Sequence, residues 1–277
     1  MIYKSQLPLT KKDLDFFQDQ GYLYIKNIWN DNEVLPVLRD IHRIIALLLL
    51  RENIEYKQKE FNAIDFDDGL HNLLKKNRAL GGVVYDAVKK IPSYIKLIAD
   101  SRFETISKFL LGTDFVGFVA RGWGLRLDHP NEDHYITQLH QEFASQICSP
   151  RGVVFWTPLR EVCAEMGPVV FYPGSHKGGV YPIQIRGSGS YGQRIQGEQD
   201  LEGKFSSIRS TIQKNDCLIL DFLTLHKSSP NRSKKTRWAS INRYFDYMDP
   251  IAQRIGWAGG IQEGGDFEKL LPEYTVL

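Results

Sequence analysis

The change of character at Gly112 constrains the fold of this chain more than any other feature of its sequence. After Gly112, segments rich in Val, Ile, Phe, Tyr and Trp alternate with turn-forming residues, at 115–128, 151–159, 168–172, 206–213, 216–223 and 236–248. Short strands at regular intervals, separated by turn signals, are typical of a β-sandwich or a β-barrel. We therefore predict one of these two architectures for the second part of the chain.

The first third of the chain has the periodicity of helices instead. Thr10 followed by Asp13 resembles a capping box, which predicts a helix that ends at Gly21. A second helix is expected to begin near Asn30 to Asn32; a cap on Asn32 places Pro36 near the first turn, where proline is tolerated. The apolar residues of this second helix recur at spacings of four and three: Val34, Leu38, Ile41, Ile45 and Leu48.

A length of 277 residues is within the range of one large β domain with additions. We predict a single domain, with a helical N-terminal layer over 1–111, a barrel over 112–250 and a C-terminal tail over 251–277. The stretch 174–203 holds eight glycines and few large apolar residues. Long loops of this kind are usually functional or disordered, and we predict that this one is a lid that closes over the barrel mouth.

Composition narrows the partners and the compartment. The 35 basic and 33 acidic residues give a formal net charge of +2, which supplies no electrostatic reason to expect a nucleic-acid partner. The longest apolar run, residues 44–50, is much shorter than the roughly 20 residues of a membrane span. The three cysteines show no CxxC spacing, and the N-terminus lacks a signal-peptide core. We expect a cytoplasmic protein with a small-molecule partner and without membrane attachment; its oligomeric state stays unknown.

Among the seven histidines, His140 stands in the sequence His140-Gln141-Glu142. In a strand, residues two apart point to the same side, so an imidazole nitrogen and a carboxylate oxygen can reach one point. A second histidine from a later strand completes a 2-His-1-carboxylate face, which holds a redox-active divalent metal and leaves positions open, as in non-haem Fe(II) oxygenases. The tripeptide alone is a weak signal, because it occurs by chance in many chains.

The candidate second histidine is His226, which follows the buried-strand pattern of residues 218–222. Arg237 follows eleven residues later and opens another strand-like run. A guanidinium beside the metal can hold the distal carboxylate of 2-oxoglutarate in a bidentate contact. The alternative for Arg237 is a basic stretch at the surface, because Lys234 and Lys235 precede it.

The remaining histidines have simpler interpretations. His42 and His71 lie in helical patterns and are expected to be structural or surface residues, because a lone histidine needs partners to be functional. His129 and His134 flank a polar loop, which we interpret as the rim of a pocket.

Four segments, in order and with matching spacing, resemble the phytanoyl-CoA dioxygenase family of Fe(II)/2-oxoglutarate oxygenases. LTKKDLDFFQDQGYLYIKNI is similar to the N-terminal helix and strand of that family, and LHQEFASQ to its His-Gln-Asp motif. VVFWTPLREVCAEMGPVVFYPGSHKGG resembles its most recognisable stretch, and LHKSSPNRSKKTRWASINRYF its distal-histidine segment. The resemblance covers most of the chain.

The resemblance implies a mainly β fold, a double-stranded β-helix or jelly-roll barrel of cupin type, with the N-terminal helices packed on one side. It assigns His140, Glu142 and His226 to Fe(II), and Arg237 to the distal carboxylate of 2-oxoglutarate. Two further residues match positions that line the cosubstrate pocket, Gln141 and Trp156. Arg126 matches a basic residue before the histidine motif, and His176 a turn residue that is not a ligand.

The activity implied by the resemblance is that of a dioxygenase that uses Fe(II), 2-oxoglutarate and O2 to hydroxylate a small organic substrate, with release of succinate and CO2. Glu142 departs from the family, which usually has aspartate there, and leaves open a site adapted to another metal. One alternative is therefore a cupin-like isomerase with a redox-inert metal acting as a Lewis acid. A catalytically silent binding protein on the same barrel is another. Desaturation or epimerisation by the same oxidant is also open, and the substrate does not follow from the sequence.

Overall fold

The computed structural model of the protein describes residues 3–119, 123–185, 193–260 and 265–275. The α-helices of this part of the chain are α1 (Lys11–Gln20), α2 (Asp31–Arg51), α3 (Leu70–Lys76), α4 (Leu80–Val88), α5 (Pro92–Ile98), α6 (Ser101–Leu111), α7 (Glu142–Gln146), α8 (Glu198–Lys204), α9 (Pro250–Arg254) and α10 (Phe267–Leu270). The strands are β1 (Lys4–Ser5), β2 (Tyr22–Ile25), β3 (Val116–Phe118), β4 (Gly124–Asp128), β5 (Gly152–Pro158), β6 (Val169–Phe171), β7 (Ile183–Ile185), β8 (Gln193–Ile195), β9 (Ile208–Arg209), β10 (Cys217–Asp221), β11 (His226–Ser228) and β12 (Arg237–Asp246).

The first helix has the ends that its sequence predicts. The backbone N–H of Thr10 donates to Asp13 Oδ2 at 2.7 Å, which closes the capping box before α1. Gly21 follows the last turn with a φ of 72°, in the left-handed region that glycine adopts without strain.

The second helix starts at the earlier end of the predicted range. Its cap is Asn30, not Asn32: Asn30 Oδ1 accepts from the N–H of Glu33 at 3.1 Å, and Glu33 Oε2 accepts from the N–H of Asn30 at 2.7 Å. Pro36 therefore lies inside α2, beyond the first turn. The helix tolerates it because Pro36 and Asn32, whose carbonyl loses its partner, are both exposed, so water can satisfy that carbonyl.

The strands form a large sheet, a smaller sheet and a hairpin. The large sheet has the order β1-β2-β10-β5-β12-β3, with β4 also paired to β12. The smaller sheet has the order β11-β6-β9, and β7 pairs with β8. Each predicted strand segment between 115 and 248 contains a strand, as expected. The N-terminal layer is not purely helical, because β2 pairs antiparallel with β10 and extends the large sheet.

Both faces of the large sheet are buried. Val153, Phe155 and Ile219 face the helices and cluster with the apolar stripe of α2. Their neighbours along the same strands, Val154 and Trp156 among them, join a second cluster that includes the three residues of β6. We call the face that carries Val154 and Trp156 the inner face. Because successive side chains of a strand point to opposite faces, every second side chain of β12 lies on the inner face.

The predicted lid at 174–203 is only partly described, since residues 186–192 lie outside the described part of the chain. Its flanks contain the β7–β8 hairpin and helix α8. The lid therefore stays a prediction. Among the residues that the structure describes, none of the helices is both long enough and apolar enough to cross a membrane.

Candidate metal centre

Two histidines from distant parts of the chain lie side by side. The backbone N–H of His140 donates to the carbonyl of His226 at 3.0 Å, and the N–H of His226 donates to the carbonyl of His140 at 3.1 Å. This antiparallel bridge brings the two rings to a centroid distance of 4.1 Å. Two backbone hydrogen bonds thus fix the spacing of the two imidazoles.

Both imidazoles are oriented by a second hydrogen bond. Nδ1 of His140 lies 2.8 Å from the carbonyl of Gln138, and Nδ1 of His226 lies 2.9 Å from the carbonyl of Thr224. A carbonyl can only accept, so Nδ1 carries the proton and Nε2 keeps its lone pair, as in histidines that bind metals. Burial, and then the adjacent His226 ring, lower the pKa of His140 to about 3, so that ring is neutral at physiological pH.

Glu142 reaches the same point by a route other than the predicted one. It is not in a strand with His140 but is the first residue of α7, and its N–H donates to the carbonyl of Phe222 at 2.8 Å. The alternation argument for these two residues was therefore wrong. Oε2 of Glu142 nevertheless lies 3.4 Å from His226 Nε2 and 4.0 Å from His140 Nε2. The three potential ligand atoms lie within 4.8 Å of one another, and no other such group of three occurs in the described residues.

The second oxygen of Glu142 has its own partners. Oε1 accepts from Arg243 Nε at 2.7 Å and from Gln146 Nε2 at 3.3 Å. Burial by itself raises the pKa of this carboxyl, but the Arg243 guanidinium and the two histidines outweigh it and hold the pKa well below its usual range. Glu142 is therefore a carboxylate, although its side chain is only 3% exposed.

Arg237 is not a surface residue. It lies at the start of β12, it is 1% exposed, and its guanidinium carbon stands 5.8 Å from the centre of the Trp156 ring. Its Nε and Nη2 contact Asp128 Oδ2 at 3.2 and 2.9 Å. Nη1 is buried and has no hydrogen-bond partner among the described residues. A buried guanidinium nitrogen without an acceptor is costly, and it is the kind of group that an anionic ligand satisfies.

Asp128 lies between two arginines. Its Oδ1 accepts a hydrogen bond from Arg126 Nη2 at 2.8 Å, while its Oδ2 accepts one from Arg237 Nε. Burial by itself raises the pKa of Asp128, but Arg237 and Arg126 outweigh this effect and lower the pKa to about 2. The predicted cosubstrate residue Arg126 thus contacts the partner of Arg237.

Gln141 is buried, and its amide is bound to backbone. Nε2 donates to the carbonyls of Gly179 at 2.8 Å and Leu223 at 2.7 Å, and Oε1 accepts from the N–H of Tyr181 at 2.8 Å. The amide therefore ties together two segments next to the histidines. The role predicted for Gln141 in lining a cosubstrate pocket stays a prediction.

The other histidines lie outside the cluster. His129 Nδ1 lies 2.9 Å from Thr236 Oγ1, and its ring stacks on His71. His176 Nε2 lies 3.0 Å from the carbonyl of Gln18, at the turn after the strand β6. His42 is buried in α2 beside Gln58.

Sequence reasoning did not identify Arg243, Gln146 or Asp128 as site residues. Arg243 had a usable signal, because it stands six residues after Arg237 in one strand and so shares its face. The spacing of Asp128 from Arg237 carries no such signal, since their contact depends on the pairing of β4 with β12.

The comparisons with known proteins agree on one family. A family model described as phytanoyl-CoA dioxygenase matches residues 17–239. The peroxisomal phytanoyl-CoA dioxygenase of Mus musculus is 21% identical over 267 residues, covering 92% of this chain and 73% of the mouse protein. The Homo sapiens enzyme is 22% identical over 257 residues, covering 87% and 69%.

Solved structures with a similar fold include proteins that were crystallised with iron, with 2-oxoglutarate or with both. The epimerase SnoN in complex with Fe3+, alpha ketoglutarate and nogalamycin RO has a TM-score of 0.58 and 17% identity, over 85% of this chain and 83% of SnoN. EctD from S. alaskensis with bound Fe has a TM-score of 0.58 and 16% identity, over 87% of this chain and 78% of EctD. EvdO2 of Micromonospora carbonacea var. aurantiaca, complexed with 2-oxoglutarate, has a TM-score of 0.52 and 17% identity, over 89% and 94%. At these identities the likeness concerns the fold.

Proposed function

The chain belongs to the phytanoyl-CoA dioxygenase family, and on that basis we propose that it is an Fe(II)- and 2-oxoglutarate-dependent dioxygenase that hydroxylates a small organic molecule. The observation that carries this proposal is the convergence of two histidine Nε2 atoms and one carboxylate oxygen, each held by a hydrogen bond to its other polar atom. Two nitrogens and one carboxylate oxygen are the donor set of the 2-His-1-carboxylate iron centres.

We propose His140, Glu142 and His226 as the iron ligands. Iron together with 2-oxoglutarate and O2 supplies the oxidant, and succinate and CO2 are the coproducts. The part of this chain is to direct the two Nε2 atoms at the metal position and to keep the carboxylate charged. The carbonyls of Gln138 and Thr224 and the guanidinium of Arg243 support those states.

The proposed anchor for the distal carboxylate of 2-oxoglutarate is Arg237. Its unpartnered Nη1 is a donor in a buried site, and Asp128 holds the other side of the guanidinium in place. The Trp156 ring beside the guanidinium supports a place for Trp156 in the wall of this pocket. Arg126, through its contact with Asp128, is proposed to support the same arrangement, and Gln141 to position the adjoining segments.

We further propose that the two sheets are the halves of a double-stranded β-helix within one domain over 1–277. The buried inner face and the likeness to iron and 2-oxoglutarate enzymes support that architecture. Within the part of the chain that the structure describes, Cys163 and Cys217 form no disulfide, which supports the proposal of a reducing, cytoplasmic location.

The test is succinate formation from 2-oxoglutarate under air with added Fe(II), followed across a panel of small metabolites. We expect substrate-dependent succinate from the wild type and none from His140→Ala or His226→Ala, with Arg51→Ala, at the exposed end of α2, as the control. Wild-type activity in either ligand variant would place the metal elsewhere. Turnover without 2-oxoglutarate and O2 would favour the isomerase with a redox-inert metal, and metal binding without any turnover the binding protein.

The product decides between hydroxylation and related outcomes. The proteins of similar fold include the epimerase SnoN and the carbocyclase SnoK, so the same succinate signal can accompany different products. Mass spectrometry of the converted metabolite should show a gain of one oxygen atom if the protein is a hydroxylase. An unchanged mass with inverted configuration would contradict hydroxylation while leaving the iron chemistry in place.

A further inference from the structure

The two oxygens of Glu142 are used in different ways. Oε2 is the oxygen that approaches the Nε2 atoms of both histidines. Oε1 instead accepts two hydrogen bonds, from Arg243 Nε at 2.7 Å and from Gln146 Nε2 at 3.3 Å. The carboxylate is therefore already divided into an oxygen that faces the candidate metal position and an oxygen bound to protein donors.

Arg243 is well placed to maintain this division. It lies within β12 opposite Val154 of β5, in a regular antiparallel register. Its side chain is 16% exposed, and that of Glu142 is 3% exposed. Breaking a charge pair between groups so buried is expensive, because the remaining charge loses its partner without gaining full hydration. Gln146 adds a restraint from one helical turn beyond Glu142 on α7.

We propose that Arg243 is a positioning residue that holds one oxygen of Glu142 away from the metal and so makes this glutamate a one-oxygen ligand. The inference rests on the proposed function, since it concerns the iron ligand proposed above. It extends that function by assigning a role to a residue outside the ligand triad.

The need for such a residue follows from the number of coordination positions. A metal with about six positions and three protein ligands has about three left. Two are needed for chelation by the keto acid end of 2-oxoglutarate, and one for O2. A carboxylate that binds through both oxygens takes one of these positions. Glutamate has one more rotatable bond than the aspartate usual in the family, which gives its carboxylate more freedom to turn and chelate.

Arg243 also opposes the metal electrostatically. A guanidinium that contacts the ligand carboxylate repels a nearby divalent cation and shares the carboxylate charge with it. Removing this guanidinium should therefore strengthen metal binding as well as free the second oxygen. A purely structural role predicts the opposite, because a looser site binds metal equally or less well.

The experiment measures Mn(II) binding and the number of exchangeable waters on the bound Mn(II), by water proton relaxation without 2-oxoglutarate. The variants are Arg243→Met, which keeps the chain length and removes the charge, and Arg243→Lys, which keeps the charge. Arg51→Met is the matched control, because Arg51 makes an exposed ion pair with Glu52 at the end of α2. Circular dichroism melts verify that each variant is folded.

We expect about three waters for the wild type and the control, and about two for Arg243→Met. Mn(II) affinity should rise about tenfold in Arg243→Met and remain near that of the wild type in Arg243→Lys. If Arg243→Met does not fold, Arg243→Gln combined with Gln146→Met decides, because it also removes the charge at position 243: loss of one water supports the proposal, and an unchanged count contradicts it.

Failure of this inference is distinguishable from failure of the proposed function. If His140→Ala abolishes Mn(II) binding while Arg243→Met keeps the wild-type water count and affinity, the metal site stands and the role of Arg243 is refuted. If His140→Ala and His226→Ala bind Mn(II) as the wild type does, the metal site itself is wrong, and the proposed role of Arg243 fails with it.

Discussion

At the scale of single residues, Arg237 offers the sharpest test of cosubstrate binding. Replacing it with alanine should weaken 2-oxoglutarate binding at least tenfold, because a charge-assisted contact is worth about 1.5 kcal/mol or more. Lysine should restore only part of the affinity, since it lacks the planar fork. The measurement is a calorimetric titration with Mn(II) in place of iron, and Arg232→Ala, which loses an exposed ion pair with Asp133, is the control. An unchanged affinity would remove Arg237 from the site.

Glu142 separates the effects of charge and shape. Glu142→Asp should keep measurable turnover, because aspartate is the usual residue of the family at this position. Glu142→Gln should lose far more, on the order of a hundredfold, since a neutral amide neither balances the metal charge nor offers an anionic oxygen. Glu142→Gly should open a position for chloride or water. Turnover and Fe(II) affinity are compared for all three variants, and wild-type values for the glutamine variant would exclude Glu142 as a ligand.

The sequence predicted these residues to different degrees. His140, His226 and Arg237 follow from residue type, spacing and the family resemblance, and the structure brings the two histidines together. The sequence did not predict the contact between Asp128 and Arg237, because it depends on the pairing of two strands that are far apart in the chain. The sequence did not predict that Glu142 begins a helix, because a helix of five residues is too short to show a periodic pattern.

At the scale of elements, the start of α2 shows why local signals compete. The cap at Asn30 forms two reciprocal hydrogen bonds with Glu33, whereas a start at Asn32 loses both and still leaves the exposed Asn32 carbonyl without a partner, because Pro36 has no N–H. The two satisfied donors therefore favour the start at Asn30. The capping pattern was therefore the better guide to this helix boundary than the proline.

Gln141 connects the segment around Gly179 to the bridge between the histidines. Gln141→Ala leaves the partly buried carbonyls of Gly179 and Leu223 and the N–H of Tyr181 without these partners, so the unfolding free energy should fall by about 2–3 kcal/mol. Limited proteolysis should also cut faster within 174–203. Gln138→Ala is the control, because the Gln138 side chain is exposed. Equal cleavage in both variants would mean that Gln141 does not restrain this segment.

Asp221 links the end of β10 to the turn after α1 and should make stability depend on pH. Its N–H donates to the carbonyl of Gly21, and burial raises the pKa of its carboxyl to about 6. Because this value is above the roughly 3.9 of an unfolded chain, the folded state binds more protons between these values. The contribution of Asp221 to stability therefore falls as pH rises from about 4 to 6, by on the order of 2 kcal/mol.

The measurement for Asp221 is urea unfolding at several pH values for the wild type and Asp221→Asn. The asparagine variant cannot titrate at this position, so the stability difference between the two proteins should change across the same interval and be constant above it. A difference that is independent of pH would mean that Asp221 has an ordinary pKa in the folded protein.

At the scale of the whole molecule, the strand segments were predictable and their partners were not. Apart from β11, whose sequence is polar, each strand between β3 and β12 that builds the two sheets lies in an apolar segment bounded by turn residues. The order of the strands depends on contacts between residues far apart in sequence, such as β2 with β10, and no local pattern encodes them. The family resemblance also implied an N-terminal strand, but not its place in the large sheet.

Metal binding should stabilise the molecule as a whole, because the three proposed ligands come together only when the bridge between His140 and His226 and the start of α7 are formed. A ligand at a hundred times its dissociation constant adds about 2.7 kcal/mol to the free energy of unfolding. For a domain of this size, that corresponds to a rise in Tm of roughly 5–10 °C. Calorimetric melts with Mn(II) under nitrogen test this in the wild type, in His226→Ala and in the exposed control His134→Ala. The wild type and the control should shift together, and His226→Ala should not shift. An equal shift in all three proteins would mean that the stabilising metal binds at another place.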